Sequence, residues 1–284
     1  MRSQKLTLQN TQGQNLSARL DLPIDGEPIA YALFAHCFTC SKNLKAVGNI
    51  SRALTQRKIA VLRFDFTGLG ESEGDFADTN FSSNVSDLIC AAEYLAVKFK
   101  APKILIGHSL GGAAVLQAAG EVPSSVAVAT IGAPCDPEHV AKNFEIAREK
   151  IEAEGEAEVT LAGRKFKIKK QFLEDLEINS MKDHIRNLRK ALLIFHSPID
   201  STVGVENAAL IFKTALHPKS FISLDNADHL LTNENDAQYV GAVLAAWVEK
   251  YLDIEDSETG SPSLIPETDK VVVRTGEEGF YTEI

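Results

Sequence analysis

The segment KILIGHSLGGAAVLQAAG (103–120) joins an apolar run to small helix-forming residues, with Ser109 at the junction between Gly107 and Gly111. Residues 103–107 read as a short buried strand and 110–120 as a closely packing helix. An ordinary tight turn tolerates many residue types. A turn that lifts one hydroxyl clear of its own backbone does not, because side chains two positions before and after the serine would strike neighbouring backbone. The helix that follows aims its first N–H groups at the serine, where they favour developing negative charge. G-x-S-x-G in this context predicts a nucleophile; a structural serine in a turn is the plain alternative.

Working outward, strand-like and helix-like stretches alternate. KLTL (5–8), LSARLDL (16–22), AYALFAH (30–36), IAVLRFDF (59–66), KILIG (103–107), VAVATIG (126–132), ALLIFH (191–196) and SFISL (220–224) read as strands. Val85, Leu88, Ile89, Ala92 and Leu95 recur at helical spacing, as do Val240, Val243, Leu244 and Trp247. The pattern predicts an α/β fold: a mostly parallel, doubly wound sheet of about eight strands.

Between strands 6 and 7 the rhythm breaks. Residues 136–190 are dense in charge, with a helical pattern in HVAKNFEIAREKIEAE, an alternating EVTLAGRKFKIKK that turns at Ala162-Gly163, and a return through FLEDLEINSMKDHIRNL. Such an excursion predicts a cap over a site; a surface insertion remote from substrate is the alternative. Beyond the body (1–252), residues 253–269 form an acidic Ser/Pro/Gly-containing linker. VVVRTGEEGFYTEI (within 270–284) alternates on both sides of Gly-Glu-Glu-Gly, a hairpin pattern. A lone hairpin is marginal in water, so it needs the body, a second copy or another domain as partner.

With 44% hydrophobic and 24% charged residues, the 284-residue chain has the composition of a globular protein able to bury a large core. No apolar run is long enough to span a bilayer, and the opening MRSQKLTLQNTQG lacks a secretory pattern, so the expected location is cytoplasmic. From Asp253 onward there are nine acidic and two basic residues, −7 of the net −10. Neither tail nor body offers the basic surface that nucleic acid or anionic lipid requires. Four cysteines (Cys37, Cys40, Cys90, Cys135) are too few for a disulfide scaffold, and a reducing compartment suits them.

A serine hydroxyl needs a base within hydrogen-bond reach. Of seven histidines, His36, His108 and His196 end strands, where bracing loops is their expected role. His139 and His184 fall in the inserted segment, and His217 precedes Pro218 at the foot of a strand. His229, in SFISLDNADHLLT, follows the last core strand, and in a parallel sheet that loop shares an edge with Ser109. His229 is therefore the expected base. Asp200, in IFHSPIDSTVG, lies on the same edge and is the expected acid, with Asp136 a competitor after VAVATIG. Asp225 and Asp228 stand too near His229 in sequence to reach round its ring. For a tetrahedral oxyanion the expected donors are the backbone N–H groups of Leu110 and Phe38, with Cys37 an alternative to Phe38.

HCFTC, RFDFTGLGES, GHSLGG, HSPIDSTV and ADHLL together resemble the α/β-hydrolase superfamily of serine-esterase type over about residues 5–252. The order Ser109, Asp200, His229 agrees with that superfamily's order. Where most members carry His-Gly at the oxyanion loop, this chain has His36-Cys37. More narrowly, FAHCFTC, FDFTGLGES and PKSFISLDNADHLL look like the hydrolase half of α/β-hydrolase/OsmC-like fusion proteins. VVVRTGEEGFYTEI likewise looks like the start of a truncated OsmC-like domain, which makes that domain, or a homo-oligomer formed through the hairpin, the expected partner. The resemblance implies a carboxylic-ester hydrolase acting on small-molecule esters, with no metal or organic cofactor, and no firm substrate.

Cys37-Phe38-Thr39-Cys40 is a C-x-x-C and raises a redox-responsive alternative. No thioredoxin-like pattern surrounds it, so Cys37 standing in for a small residue and Cys40 packing is the plainer expectation. The order matches neither haem attachment nor a zinc site. Gly68, Gly70 and Gly74 miss G-x-G-x-x-G by one residue, which predicts a turn rather than a dinucleotide site. A hydrolase-like module that binds a ligand under the cap without catalysis is a further alternative.

Overall fold

A computed structural model describes residues 1–37, 40–137, 145–161, 164–178, 181–252, 274–275 and 282–283. Eight strands form one sheet: β1 (Arg2–Gln9), β2 (Asn15–Leu22), β3 (Ala30–Ala35), β4 (Ile59–Phe64), β5 (Ile104–His108), β6 (Ala127–Ile131), β9 (Ala191–His196) and β10 (Lys219–Ser223). Their order is β1-β2-β4-β3-β5-β6-β9-β10. β2 pairs antiparallel with β1 and β4, and every later pairing is parallel.

The continuous apolar runs become the centre of this sheet: β3, β4, β5, β6 and β9 are buried along their whole length. That is what helices on both faces require. α1 (Lys45–Gln56) and α8 (Glu234–Glu249) cover one face, where Ile50, Leu54, Val240 and Leu244 pack on Phe34, Ile106 and Phe195. α2 (Phe81–Lys98), α3 (Leu110–Ala118) and α7 (Glu206–Thr214) cover the other, packing Leu88, Val115 and Ile211 on Leu33, Leu105 and Leu192. α2 begins in a reciprocal cap, the Asn80 side chain accepting from the Ser83 N–H while Ser83 Oγ accepts from the Asn80 N–H.

The chain leaves β3 for β4 on one side and β5 for β6 on the other, so β3 and β5 are neighbours at a reversal of strand order. Loops after the carboxyl ends of such strands form a crevice. Ser109 and Leu110 follow β5 there, and Asp200 and His229 follow β9 and β10.

The inserted segment contains α4 (Glu145–Glu154), a separate hairpin of β7 (Glu156–Leu161) and β8 (Arg164–Lys169), α5 (Lys170–Ile178) and α6 (Lys182–Arg186). The hairpin turn at 162–163 and residues 138–144 lie outside the described residues. Apolar side chains fasten the insertion to the body: Phe76 meets the Phe166 ring edge-on with centroids 5.1 Å apart, and Phe172 is buried beside it. Asp175 accepts from the Ser82 backbone N–H at 2.8 Å and its hydroxyl at 2.6 Å, and Lys169 pairs with Asp78. Farther on, β11 (Arg274–Thr275) and β12 (Thr282–Glu283) pair antiparallel, Arg274 opposite Glu283 and Thr275 opposite Thr282; the linker 253–269 lies outside the described residues. Among the described residues no helix is long and apolar enough to cross a membrane.

Candidate active site

Ser109 stands between β5 and α3 at φ 56° and ψ −127°, a backbone that side chains other than glycine rarely adopt. Its N–H donates to Ile131 O at 2.8 Å, and its carbonyl accepts from the Gly112 N–H at 2.8 Å, so both flanks of the strained residue are held. The two glycines serve close approach. A Cβ on Gly107 would lie 2.2 Å from Gly111 O, and one on Gly111 2.4 Å from Ala35 O. The turn thus needs hydrogens at both positions, and it presses α3 against the end of β3.

The structure brings three distant side chains together. His229 Nε2 lies 3.0 Å from Ser109 Oγ, and His229 Nδ1 lies 2.7 Å from Asp200 Oδ2. The other carboxylate oxygen, Oδ1, accepts from the N–H groups of Thr202 and Val203, both at 2.9 Å. Burial works against the Asp200 anion, but hydrogen bonds from His229, Val203 and Thr202 outweigh it and hold the carboxyl below the ordinary range. A carboxylate accepts only, so Nδ1 carries the proton and Nε2 offers a lone pair to the serine hydroxyl. Asp136 does not take that place. Asp225 accepts from the Ser223 hydroxyl, and Asp228 from the Thr232 N–H.

Leu110 is the first residue of α3, and an N–H in a first helical turn has no intrahelical partner. Phe38, the other expected donor, lies outside the described residues. His36 Nδ1 donates to Cys37 O at 2.7 Å, and the Cys40 N–H donates to the same carbonyl at 3.1 Å. Cys37 and Cys40 form a disulfide with Cα atoms 5.2 Å apart. This corrects the expectation of two reduced cysteines, one standing in for a small residue and one packing. Their two Cα atoms fall within bridging distance.

A buried ionic network fixes the far end of this loop, and sequence reasoning missed it. Lys42 is 2% exposed, and its Nζ donates to Asp65 at 2.6 Å and Glu71 at 2.7 Å. The Lys42 N–H donates to Asp65 Oδ1 at 2.6 Å, and Arg63 Nη1 donates to Lys42 O. Arg63 pairs in turn with the fully buried Asp21 at 2.7 Å. Gly68, Gly70 and Gly74 shape the turn beside it, all at positive φ, in agreement with the turn reading.

The strand-terminal histidines brace loops as expected. His36 bonds Cys37 O, His108 bonds His229 O and His196 bonds Val203 O, each at 2.7 Å. Burial lowers the His36 imidazole below its ordinary value. Burial first, and then the charge of His229, takes His108 down to about 3, so it is neutral near pH 7. Among the described residues no cluster of His, Cys, Asp or Glu has the makings of a metal site.

The chain matches the sequence model of the alpha/beta hydrolase family over residues 32–253. It is 56% identical to the esterase domain of a Rhodothermus marinus protein, with 89% of this chain and all of that one covered and a TM-score of 0.74. Est1E from Butyrivibrio proteoclasticus, solved with ferulic acid bound, is 22% identical over 87% of this chain and 98% of its own, with a TM-score of 0.73, and shares the fold. The mouse (Mus musculus) mitochondrial palmitoyl-protein thioesterase ABHD10 is 25% identical over 190 residues, 62% of this chain and 58% of its own. The chain thus spans less than two thirds of that relative's length.

Proposed function

From the premise that this chain belongs to the alpha/beta hydrolase family, we propose that it is a serine hydrolase of small carboxylic esters. The observation that carries the reading is the unbroken path from Asp200 through His229 to Ser109, with steps of 2.7 Å and 3.0 Å.

In this reading His229 Nε2 takes the Ser109 proton as Oγ attacks the ester carbonyl carbon. The N–H groups of Leu110 and Phe38 hold the oxygen that becomes negative. As the tetrahedral intermediate collapses, His229 gives its proton to the departing alcohol and an acyl-serine remains. Water enters, loses a proton to His229 and releases the acid, and the proton returns to Ser109. Asp200 stays ionised throughout and steadies the imidazolium. The Rhodothermus marinus relative supports the ester class; the mouse relative brings thioesters into the comparison. A panel of p-nitrophenyl esters of graded acyl length, run beside acyl thioesters and with Ser109→Ala as control, tests the proposal. Turnover of short oxygen esters that is lost in Ser109→Ala is expected. Equal turnover by Ser109→Ala, or hydrolysis of thioesters alone, would overturn it.

The Cys37–Cys40 disulfide supports a redox-responsive form of the same reading, because the bridge spans the segment expected to supply the second oxyanion donor. A dithiol reductant exchanging with it becomes a disulfide while Cys37 and Cys40 become thiols. Loss of esterase activity on reduction, regained on reoxidation and absent from a Cys37→Ser, Cys40→Ser variant, is the expected signature. Activity indifferent to reductant would exclude it.

A further inference from the structure

Two histidines outside the proposed catalytic chemistry grip the loops that carry it. His108 closes β5 beside Ser109 and is 3% exposed, and its Nε2 lies 2.7 Å from the backbone oxygen of His229. A carbonyl only accepts, so Nε2 holds the proton and donates. The other nitrogen, Nδ1, is then a lone pair, buried without a partner among the described residues. His196 closes β9 and repeats the arrangement: it is fully buried, Nε2 donates to Val203 O at 2.7 Å, and Nδ1 is buried without a partner. Val203 is the residue whose own N–H holds Asp200 Oδ1. A buried nitrogen left unbonded costs stability that an apolar side chain would not. Beyond packing, each ring gives one hydrogen bond to a site loop, and His196 Nε2 also lies 3.8 Å from Asp200 Oδ2.

The base loop depends on such a bond. Within 225–232 the backbone bonds are local: Ala227 N–H to Leu224 O, Leu231 N–H to Asp228 O, and Thr232 N–H to the Asp228 carboxylate. Leu231 adds a left-handed φ of 50°. Apart from the two ring bonds of His229, this stretch is tied to other elements among the described residues by the Asp225 carboxylate, which accepts from the Ser223 hydroxyl at the end of β10, and by the bond from His108, the one that reaches the peptide of His229 itself. The acid loop is similar. Asp200 N–H bonds Ser197 O, and the Thr202 and Val203 N–H groups bond Asp200, all within the loop. His196 fastens that closed turn to the end of its strand.

We infer that His108 and His196 are positioning residues that fix the peptides of the base and acid loops, keeping His229 Nε2 within hydrogen-bond reach of Ser109 Oγ. The inference rests on the hydrolase reading above. It makes the residue before the serine part of the alignment of the base.

Measured rates of covalent labelling by a fluorophosphonate, with kcat and KM for a p-nitrophenyl ester, test it on wild type, Ser109→Ala, His108→Gln, His108→Asn and His108→Leu. The glutamine amide nitrogen reaches the place of Nε2 and restores the bond. The asparagine nitrogen falls at the place of Nδ1 and does not. His108→Gln is expected within about fivefold of wild type, while His108→Asn and His108→Leu lose on the order of 10²-fold in labelling rate and kcat with KM little changed. His196→Gln and His196→Leu are expected to divide the same way. If the leucine variants fail to fold, His108→Gln against His108→Asn still decides. Equal rates in Gln, Asn and wild type would overturn the inference and leave the hydrolase reading standing; a wild type that is never labelled would overturn both.

Discussion

Gly132 follows β6 at a left-handed φ of 55°, with its N–H donating to Phe195 O at 2.9 Å. A Cβ there would lie 3.2 Å from Asp200 Oδ2 and 3.3 Å from His229 Nδ1. Gly132→Ala therefore carries two separable costs. The left-handed backbone costs an alanine about 1 kcal/mol, which lowers Tm by roughly 2–4 °C in a domain of this size. The methyl also presses on the Asp200–His229 pair, which must yield by a few tenths of an ångström. A shift of that kind moves Nε2 out of line with the serine and is expected to lower kcat on the order of 10-fold or more. Gly13→Ala is the control: its φ is 79°, and nothing lies within 4 Å of the added Cβ. Thermal unfolding and p-nitrophenyl ester kinetics on both variants separate the costs. Both should melt lower, and only Gly132→Ala should lose kcat. A Gly132→Ala protein that melts lower yet turns over like wild type would refute the claim that free space beside this pair governs the rate.

Asp200→Asn should leave the chain folded and lower kcat on the order of 10⁴-fold, since an amide neither favours the Nδ1–H tautomer nor steadies the imidazolium; kcat within tenfold of wild type would remove Asp200 from the scheme. Asp65→Ala strips the buried Lys42 of its buried partner. It should cost about 3–5 kcal/mol in urea unfolding, and a loss below 1 kcal/mol would show that Glu71 suffices. His108 binds a proton in the unfolded chain below pH ~6.5, but in the folded chain only near its lowered value of about 3. The unfolded state holds more protons in that window, so stability falls as pH drops through it, by up to about 1.4 kcal/mol per unit. His108→Gln should lose less stability than wild type between pH 7 and 5, and equal losses would contradict this.

The parts of the site legible in sequence were those that local chemistry dictates. Ser109 stood out because Gly107 and Gly111 have a steric use at a strand-to-helix turn, and His229 and Asp200 because a parallel sheet gathers its strand ends on one edge. The centre of the sheet was readable as uninterrupted apolar runs. β1 was seen only in part: KLTL marked its second half, while Arg2–Gln4 are polar and exposed and join the sheet through backbone bonds to β2. The pairing of Lys42 with Asp65 carried no signal, because a loop lysine and an aspartate read as part of a strand show no relation until packing brings them within 2.6 Å. The pairing of Cys37 with Cys40 depended on how close the fold brings their Cα atoms, which spacing alone does not specify. Gly132 looked like any residue closing a strand. Its use emerged only once Asp200 and His229, both far along the chain, converged on it.

Trapping the acyl group is the most direct test of the central claim. The enzyme would be quenched in acid during turnover of a slowly deacylating p-nitrophenyl ester, and its peptides analysed by mass. One acyl group on the peptide containing Ser109, absent from Ser109→Ala, is the predicted result. Hydrolysis at an undiminished rate in Ser109→Ala, or an acyl group resident on another side chain, would contradict the account.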